Sequence, residues 1–218
     1  MNMTVAKAIR DPVTEIDTVE IIAAEQKIKI HDLLRHTAGF TYGFFGNSPA
    51  RQKLKESGIG NLNAMEVSLK NFVSQLAKLP LAYQPGKHWE YGRSVEVLGY
   101  LMEVVSDKKL DSFMTTNIFE PLNMVDTGFW VTKEDWSRIA EPLPNSGEPK
   151  LINVTQQPKL LSGGHGLVST VGDYLRFCQM MLNGGVLDGT RVLSSKTVQY
   201  ITANHLGKGI SRAGPYYL

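Results

Sequence analysis

Three features of the sequence predict a predominantly helical α+β fold. Apolar residues recur at i, i+3, i+4 and i+7 in several long stretches, of which Leu98, Leu101, Met102 and Val105 form the clearest. Alternating, β-branched runs are short and sit at the two ends of the chain. The helical stretches are joined by segments rich in Gly, Pro, Asn and Ser rather than by further strands. With 218 residues, 42% hydrophobic and 20% charged, the chain can bury a substantial core as one large domain or two small ones.

Residues 1–30 pattern as a β-ribbon lead-in, with Thr18–Ile22 and Lys27–Ile30 as its two short strands around Glu25-Gln26. Ile30 to Gly39 is a short helical turn stopped by Gly39. Residues 40–62 form a long connection carrying Phe40, Tyr42, Phe44 and Phe45, as at the rim of a cleft. Asn63 and Glu66 have capping-box spacing for a helix with Met65, Leu69, Phe72, Val73 and Leu76 on one face. The Pro85-Gly86 turn leads through His88–Tyr91 into the helix of Leu98 and Val105, where Ser94 can serve as cap. After a polar break at Ser106–Lys109, Leu110, Phe113, Met114 and Ile118 mark another helix, ended at Pro121. Thr127–Val131 patterns as a strand. Thr170 then opens a helix whose stripe is Tyr174, Phe177, Cys178, Met181 and Leu182, closed by Gly184-Gly185. Lys196–Asn204 makes a last short helix. The helical body thus spans residues 31–205, and residues 206–218 begin a returning strand.

A formal net charge of +2 with no basic run predicts neither a nucleic-acid footprint nor an anionic-membrane surface. No apolar run reaches membrane-spanning length, and the N-terminus lacks the apolar core of a signal peptide. The single cysteine, Cys178, excludes an intrachain disulfide and fits a reducing compartment. A cytoplasmic location is expected, or a periplasmic one if a signal peptide lies upstream.

Tyr91 draws attention because it stands between an ordered turn and the first turn of a helix. There it is either a core aromatic or the reactive phenol of an active site. The five histidines share no metal-ligand spacing and no second cysteine exists, so structural or surface roles are expected and neither metal nor cofactor is. The sequence has no Gly-x-Ser-x-Gly elbow. Its one Ser-x-x-Lys, Ser106–Lys109, falls in a charged break where the lysine would be solvated and useless as a base. Thr4-Val-Ala-Lys7 has similar spacing without a serine. Gly163-Gly-His-Gly166 lacks the lysine and spacing of a phosphate loop, and its glycines suit close approach of backbone to backbone or to a ligand.

Ile30-His-Asp-Leu-Leu-Arg-His-Thr-Ala-Gly39 resembles the Leu-Leu-x-His-Thr-Ser-Gly signature of serine β-lactamase-like hydrolases: class C β-lactamases, D-alanyl-D-alanine peptidases and family VIII carboxylesterases. Three further stretches resemble the same group in the same order: Pro85–Gly99, Phe119–Thr127, and Ser162–Phe177 with Asn183–Gly189. The resemblance implies the central helical region of the β-lactamase/transpeptidase-like fold, with only part of its antiparallel sheet. It implies acyl transfer, in which a serine of Ser-x-x-Lys attacks an ester or lactam carbonyl while a lysine and a tyrosine share the proton work. Tyr91 occupies the tyrosine position. A phenol, with an ordinary pKa near ~10, becomes a base only beside a stabilising cation.

Arg93 departs from the asparagine of many penicillin-recognising members and favours the esterase branch. Arg93, Ser94, Gly163, Gly164 and Gly166 fall where substrate contacts are implied, Ser94 as contact or cap and the glycines as contact or close packing. In the family, Ser-x-x-Lys precedes the His-Thr segment, so this chain is expected to be inactive alone and to act on a small ester or lactam only when completed. A non-catalytic binding or interaction module is the alternative. Helices lacking their usual sheet would leave apolar surface exposed, which implies self-association or a complementing chain.

Overall fold

The computed structural model describes residues 3–10, 17–44, 46, 48–59, 66–143, 147 and 151–211. They form two compact units, Met1–Leu101 with Ser162–Gly164 and Asn204–Leu218, and Met102–Leu161 with His165–Ala203. The fold is a helix-rich α+β arrangement with small antiparallel sheets.

In the first unit, β1 (Thr4–Arg10) pairs antiparallel with β2 (Asp17–Ala23), in a register running from Thr4 opposite Ala23 to Arg10 opposite Asp17. The expected partner of the second strand, Lys27–Ile30, is instead the irregular lead into α1 (Ile30–Leu34). The reason lies in β1: Val5 and Ala6 are buried, the Ala6 N–H donates to the Leu81 carbonyl and the Leu81 N–H donates to the Thr4 carbonyl, which anchors this strand beside β2.

Helix α1 is not stopped at Gly39. His36, at φ 57°, takes the left-handed position, its N–H bonding the Leu33 carbonyl and the Thr37 N–H the Asp32 carbonyl, a Schellman closure. Within residues 40–62 the structure has a helix the sequence reading missed, α2 (Pro49–Glu56), capped by Ser48 with Pro49 in its first turn. Helix α3 (Leu69–Leu76) starts later than expected, with Ser68 capping through the Asn71 N–H; residues 60–65, including the Asn63 cap, lie outside the described residues. Leu69, Phe72 and Leu76 are its buried face.

Helix α4 (Ser94–Ser106) buries Ser94, Glu96 and Gly99, whereas Val105, predicted on the inner stripe, is exposed. A polar buried face explains the difference, because apolar periodicity cannot see it.

In the second unit, α5 (Leu110–Met114) runs on through a π-turn at Thr115–Phe119, as the Leu110–Ile118 periodicity predicts, and Pro121 lies just beyond. Thr127–Val131 is not a strand: Gly128 makes one antiparallel bridge to Val168, and a 3-10 turn follows at Lys133–Arg138. Thr170 caps α6 (Val171–Leu182) through the Asp173 N–H. The core is Phe119, Leu122, Met124, Met180 and Leu187, flanked by Met114, Ile118, Phe177 and Met181.

The inner face of α6 is therefore Asp173, Phe177 and Met180, while Tyr174, Cys178 and Leu182 of the predicted stripe face outward. Helix α6 carries Asp173, Arg176 and Gln179 on one side, and Asp173 turns inward by accepting from the Asp126 N–H at 2.7 Å and the Thr127 hydroxyl at 2.8 Å. β3 (Val186–Leu187) and β4 (Thr190–Arg191) form a hairpin across Asp188-Gly189, both at positive φ, and α7 (Ser195–Ile201) follows. Of the expected returning strand, Ser211 bridges His88, and residues 212–218 lie outside the described residues.

Candidate active site

The stretch that carries Tyr91 is built by the turn before it and the helix after it. The Gly86 N–H bonds the Thr37 carbonyl at 2.7 Å, Trp89 N–H bonds Ser211 and Glu90 N–H bonds the His36 carbonyl at 2.9 Å. Residues 88–91 are thus held to the His36–Thr37 corner without joining a sheet ladder. At Gly92 an added Cβ would fall on the Phe40 carbonyl oxygen and within 2.6 Å of the Thr41 Cα, so only glycine lets the two segments touch.

Tyr91 is 40% exposed. Its ring lies 5.1 Å from Tyr42, 5.4 Å from His36 and 6.5 Å from Trp89, centroid to centroid, and Tyr42 stacks on Phe44 at 5.0 Å. Burial pushes the Tyr42 phenol far above its ordinary value, the Glu96 charge adds to this, the Arg93 guanidinium opposes it, and a hydrogen bond with Tyr91 helps hold the proton. Burial lowers the His36 pKa, against the Glu96 charge, so the imidazole is neutral at pH 7. The Tyr91 phenol is thus open to solvent on one side and backed on the other by a protonated phenol and a neutral imidazole.

Beneath Tyr91 the polar residues face inward. Arg93, 2% exposed, pairs with Glu96 at 3.2 Å and lies 4.4 Å from the centre of the Tyr42 ring. Ser94 is fully buried and is itself the first residue of α4. Its Oγ has no hydrogen-bond partner among the described residues, so the cap expected of it is not made. Gly164 touches α4 through Glu96, where an added Cβ would come within 2.8 Å of the carboxylate, and Gly163 through the Val95 carbonyl. Gly166, half-buried, belongs to the second unit.

On the far side, Asp32 accepts from Lys29 N–H, Arg35 and the Thr37 hydroxyl. These bonds outweigh burial and hold its carboxyl below the ordinary range. Tyr42 was the functional candidate least visible in sequence, and its only signal is the aromatic density of residues 40–45.

Ser106 and Lys109 do not form a nucleophile–base pair. The serine ends α4 and donates to the Met102 carbonyl at 2.6 Å, while exposed Lys109 precedes α5. Thr4 and Lys7 lie on β1, three residues apart and so on opposite faces. Among the described residues, no cluster of three or more His, Cys, Asp or Glu side chains could hold a metal ion, and no helix is long and apolar enough to cross a membrane.

The chain belongs to the Beta-lactamase family, whose model matches residues 10–214. An uncharacterized protein of Mycobacterium tuberculosis is 31% identical over 91% of this chain and 53% of its own length. The lovastatin esterase of Penicillium rubens is 27% identical over 87% of this chain and 50% of its own. Simvastatin synthase LovD of Aspergillus terreus shares the fold, with a TM-score of 0.69 and 23% identity over 95% of this chain and 49% of that one. The chain spans about half the length of these relatives.

Proposed function

We propose that this chain is the helix-rich part of a serine hydrolase that acts on ester carbonyls through an acyl-enzyme, with Tyr91 as the proton-transfer residue. The observation that carries the reading is the half-exposed Tyr91 phenol set against Tyr42 and His36 at the entrance to α4. The esterase name of the Penicillium relative and Arg93 in the asparagine position favour ester over lactam. Burial withdraws Arg93 and Ser94 from a substrate in this reading, whereas Gly163 and Gly164 are half-buried and pack on α4 through Val95 and Glu96.

Acylation needs a serine with a lysine one helical turn away. The single Ser-x-x-Lys of the 218 residues spans a helix end, so these residues alone are inactive toward esters. The test is the purified chain with a p-nitrophenyl short-chain ester and a chromogenic cephalosporin, and burst turnover of either overturns the inactivity. In a lengthened chain that supplies Ser-x-x-Lys, Tyr91→Phe lowers turnover about tenfold or more. A smaller loss removes Tyr91 from the proton-transfer role.

The second reading is a non-catalytic binding module, favoured by the exposed Phe44 and Tyr91 rings that pack on buried Tyr42. It predicts that the lengthened chain binds but does not turn over either substrate. Association with a second copy or a complementing chain completes the proposal, supported by the exposed Val171, Tyr174, Leu175 and Leu182 of α6. A monodisperse monomer in sedimentation velocity counts against that part.

A further inference from the structure

We propose that Thr41, Arg51 and Glu90 are a buried positioning brace that sets Tyr91 against Tyr42 and His36, an inference that rests on reading Tyr91 as the proton-transfer residue. Each tyrosine follows directly on a member of the brace: Thr41 precedes Tyr42 and Glu90 precedes Tyr91. The two predecessors bind each other, the Thr41 hydroxyl donating to Glu90 Oε1 at 2.5 Å. Arg51, from α2, joins both with one guanidinium, Nε donating to Thr41 Oγ1 at 3.1 Å and Nη2 to Glu90 Oε1 at 2.5 Å.

All three side chains are less than a tenth exposed. Thr41 and Glu90 each stand one residue before a tyrosine, so fixing them to each other and to Arg51 fixes the backbone from which Tyr42 and Tyr91 leave. The close approach at Gly92, where a Cβ would strike the Phe40 carbonyl, leaves the segments no room to slip.

The trio is poorly satisfied as a stabilising device, since Glu90 Oε2 has no hydrogen-bond partner among the described residues. A buried ion pair gives little net stability over an apolar replacement, but it specifies one register where apolar side chains tolerate several. The fork geometry of arginine is required, because a lysine cannot donate to both partners along two fixed directions. Thr41, Arg51 and Glu90 therefore act through the tyrosines and touch no substrate themselves.

The experiment is NMR on the 218-residue chain, reading ring NOEs from Tyr91 to Tyr42 and to His36. Signals of Phe177 and Met180 in the second unit serve, with the far-ultraviolet spectrum, as folding controls. Thr41→Val and Glu90→Gln lose both NOEs and move the Tyr91 ring shifts toward those of free tyrosine while the controls stay. Thr41→Ser, which keeps the hydroxyl, retains the wild-type pattern. A folded Thr41→Val with both NOEs intact overturns the brace, even if Arg51→Met unfolds the protein.

Should Thr41→Val not fold, Arg51→Lys decides: it keeps the charge opposite Glu90 but loses the Nε–H to Thr41, and unchanged NOEs there overturn the brace. An active Tyr91→Phe variant in the ester assay would remove the proton-transfer role and leave this NMR result standing, so the two failures are distinguishable.

Discussion

In the first unit, Arg51 and Arg93 turn inward onto Glu90 and Glu96, pairs in which no side chain is more than 8% exposed. In the second, Arg138 and Arg176 reach Asp126, Asp135 and Asp188 across open surface, and the interior is filled by Phe119, Leu122, Met124, Met180 and Leu187. The same residue types thus do different physical work. An exposed pair is screened and contributes little, whereas a buried one cannot be broken without stranding a charge. The inward pairs lie directly around Tyr42 and Tyr91, where orientation matters more than bulk stability.

The largest expected effect breaks an inward pair. Arg51→Met leaves the Glu90 carboxylate buried and unpaired, and we expect a loss of about 3–5 kcal/mol in urea unfolding. A loss below about 1 kcal/mol would put the pair on a par with surface pairs and erase the contrast. Met180→Ala probes the apolar counterpart, where a cavity at a fully buried site costs about 2–5 kcal/mol. Gly164→Ala comes next, at about 1–3 kcal/mol, because the new Cβ crowds the Glu96 carboxylate. An unchanged melting temperature there would show that the Gly163–Gly164 turn yields freely.

The pH dependence is a smaller test. Burial lowers the His36 pKa below its ordinary 6.5, so the unfolded chain takes up a proton that the folded one refuses. Stability from this group is complete above 6.5 and falls as pH drops below it toward the folded value. Urea midpoints measured from about pH 8 to 5 should decline at the acid end, and the decline should shrink in His36→Gln. The lowered carboxyl of Asp32 acts the same way but only near and below its ordinary 3.8, outside that window. Last, Asp188→Asn should change stability by less than about 1 kcal/mol, since Asp188 is two-thirds exposed.

The chain's family and the place of Tyr91 were legible because they rest on ordered local patterns: the His-Thr corner, the Pro-Gly turn and the residues that follow it. Helix positions followed from the apolar period, with a cap at Thr170 and without a side-chain cap across Leu110–Ile118. Ser48-Pro49 carried the signal for α2 as a cap followed by proline, and Asp188-Gly189 carried the signal for the β3–β4 turn; the aromatic and glycine-rich surroundings obscured both. What no local pattern holds is which partner a polar residue finds. Glu90 meets Arg51 across 39 residues and Thr41 across 49, and Asp173 meets Thr127 across 46.

Sequence by itself determined that the chain is helix-rich, where its turns fall and that Tyr91 stands at a helix entrance, since these depend on neighbours within a few residues. Tertiary structure alone decided that Val105 points out and Glu96 in, that α1 closes at His36 rather than at Gly39, and that Tyr42 stands behind Tyr91. Those outcomes depend on desolvation and long-range hydrogen bonds, which arise only when distant segments pack and which leave no period in the chain.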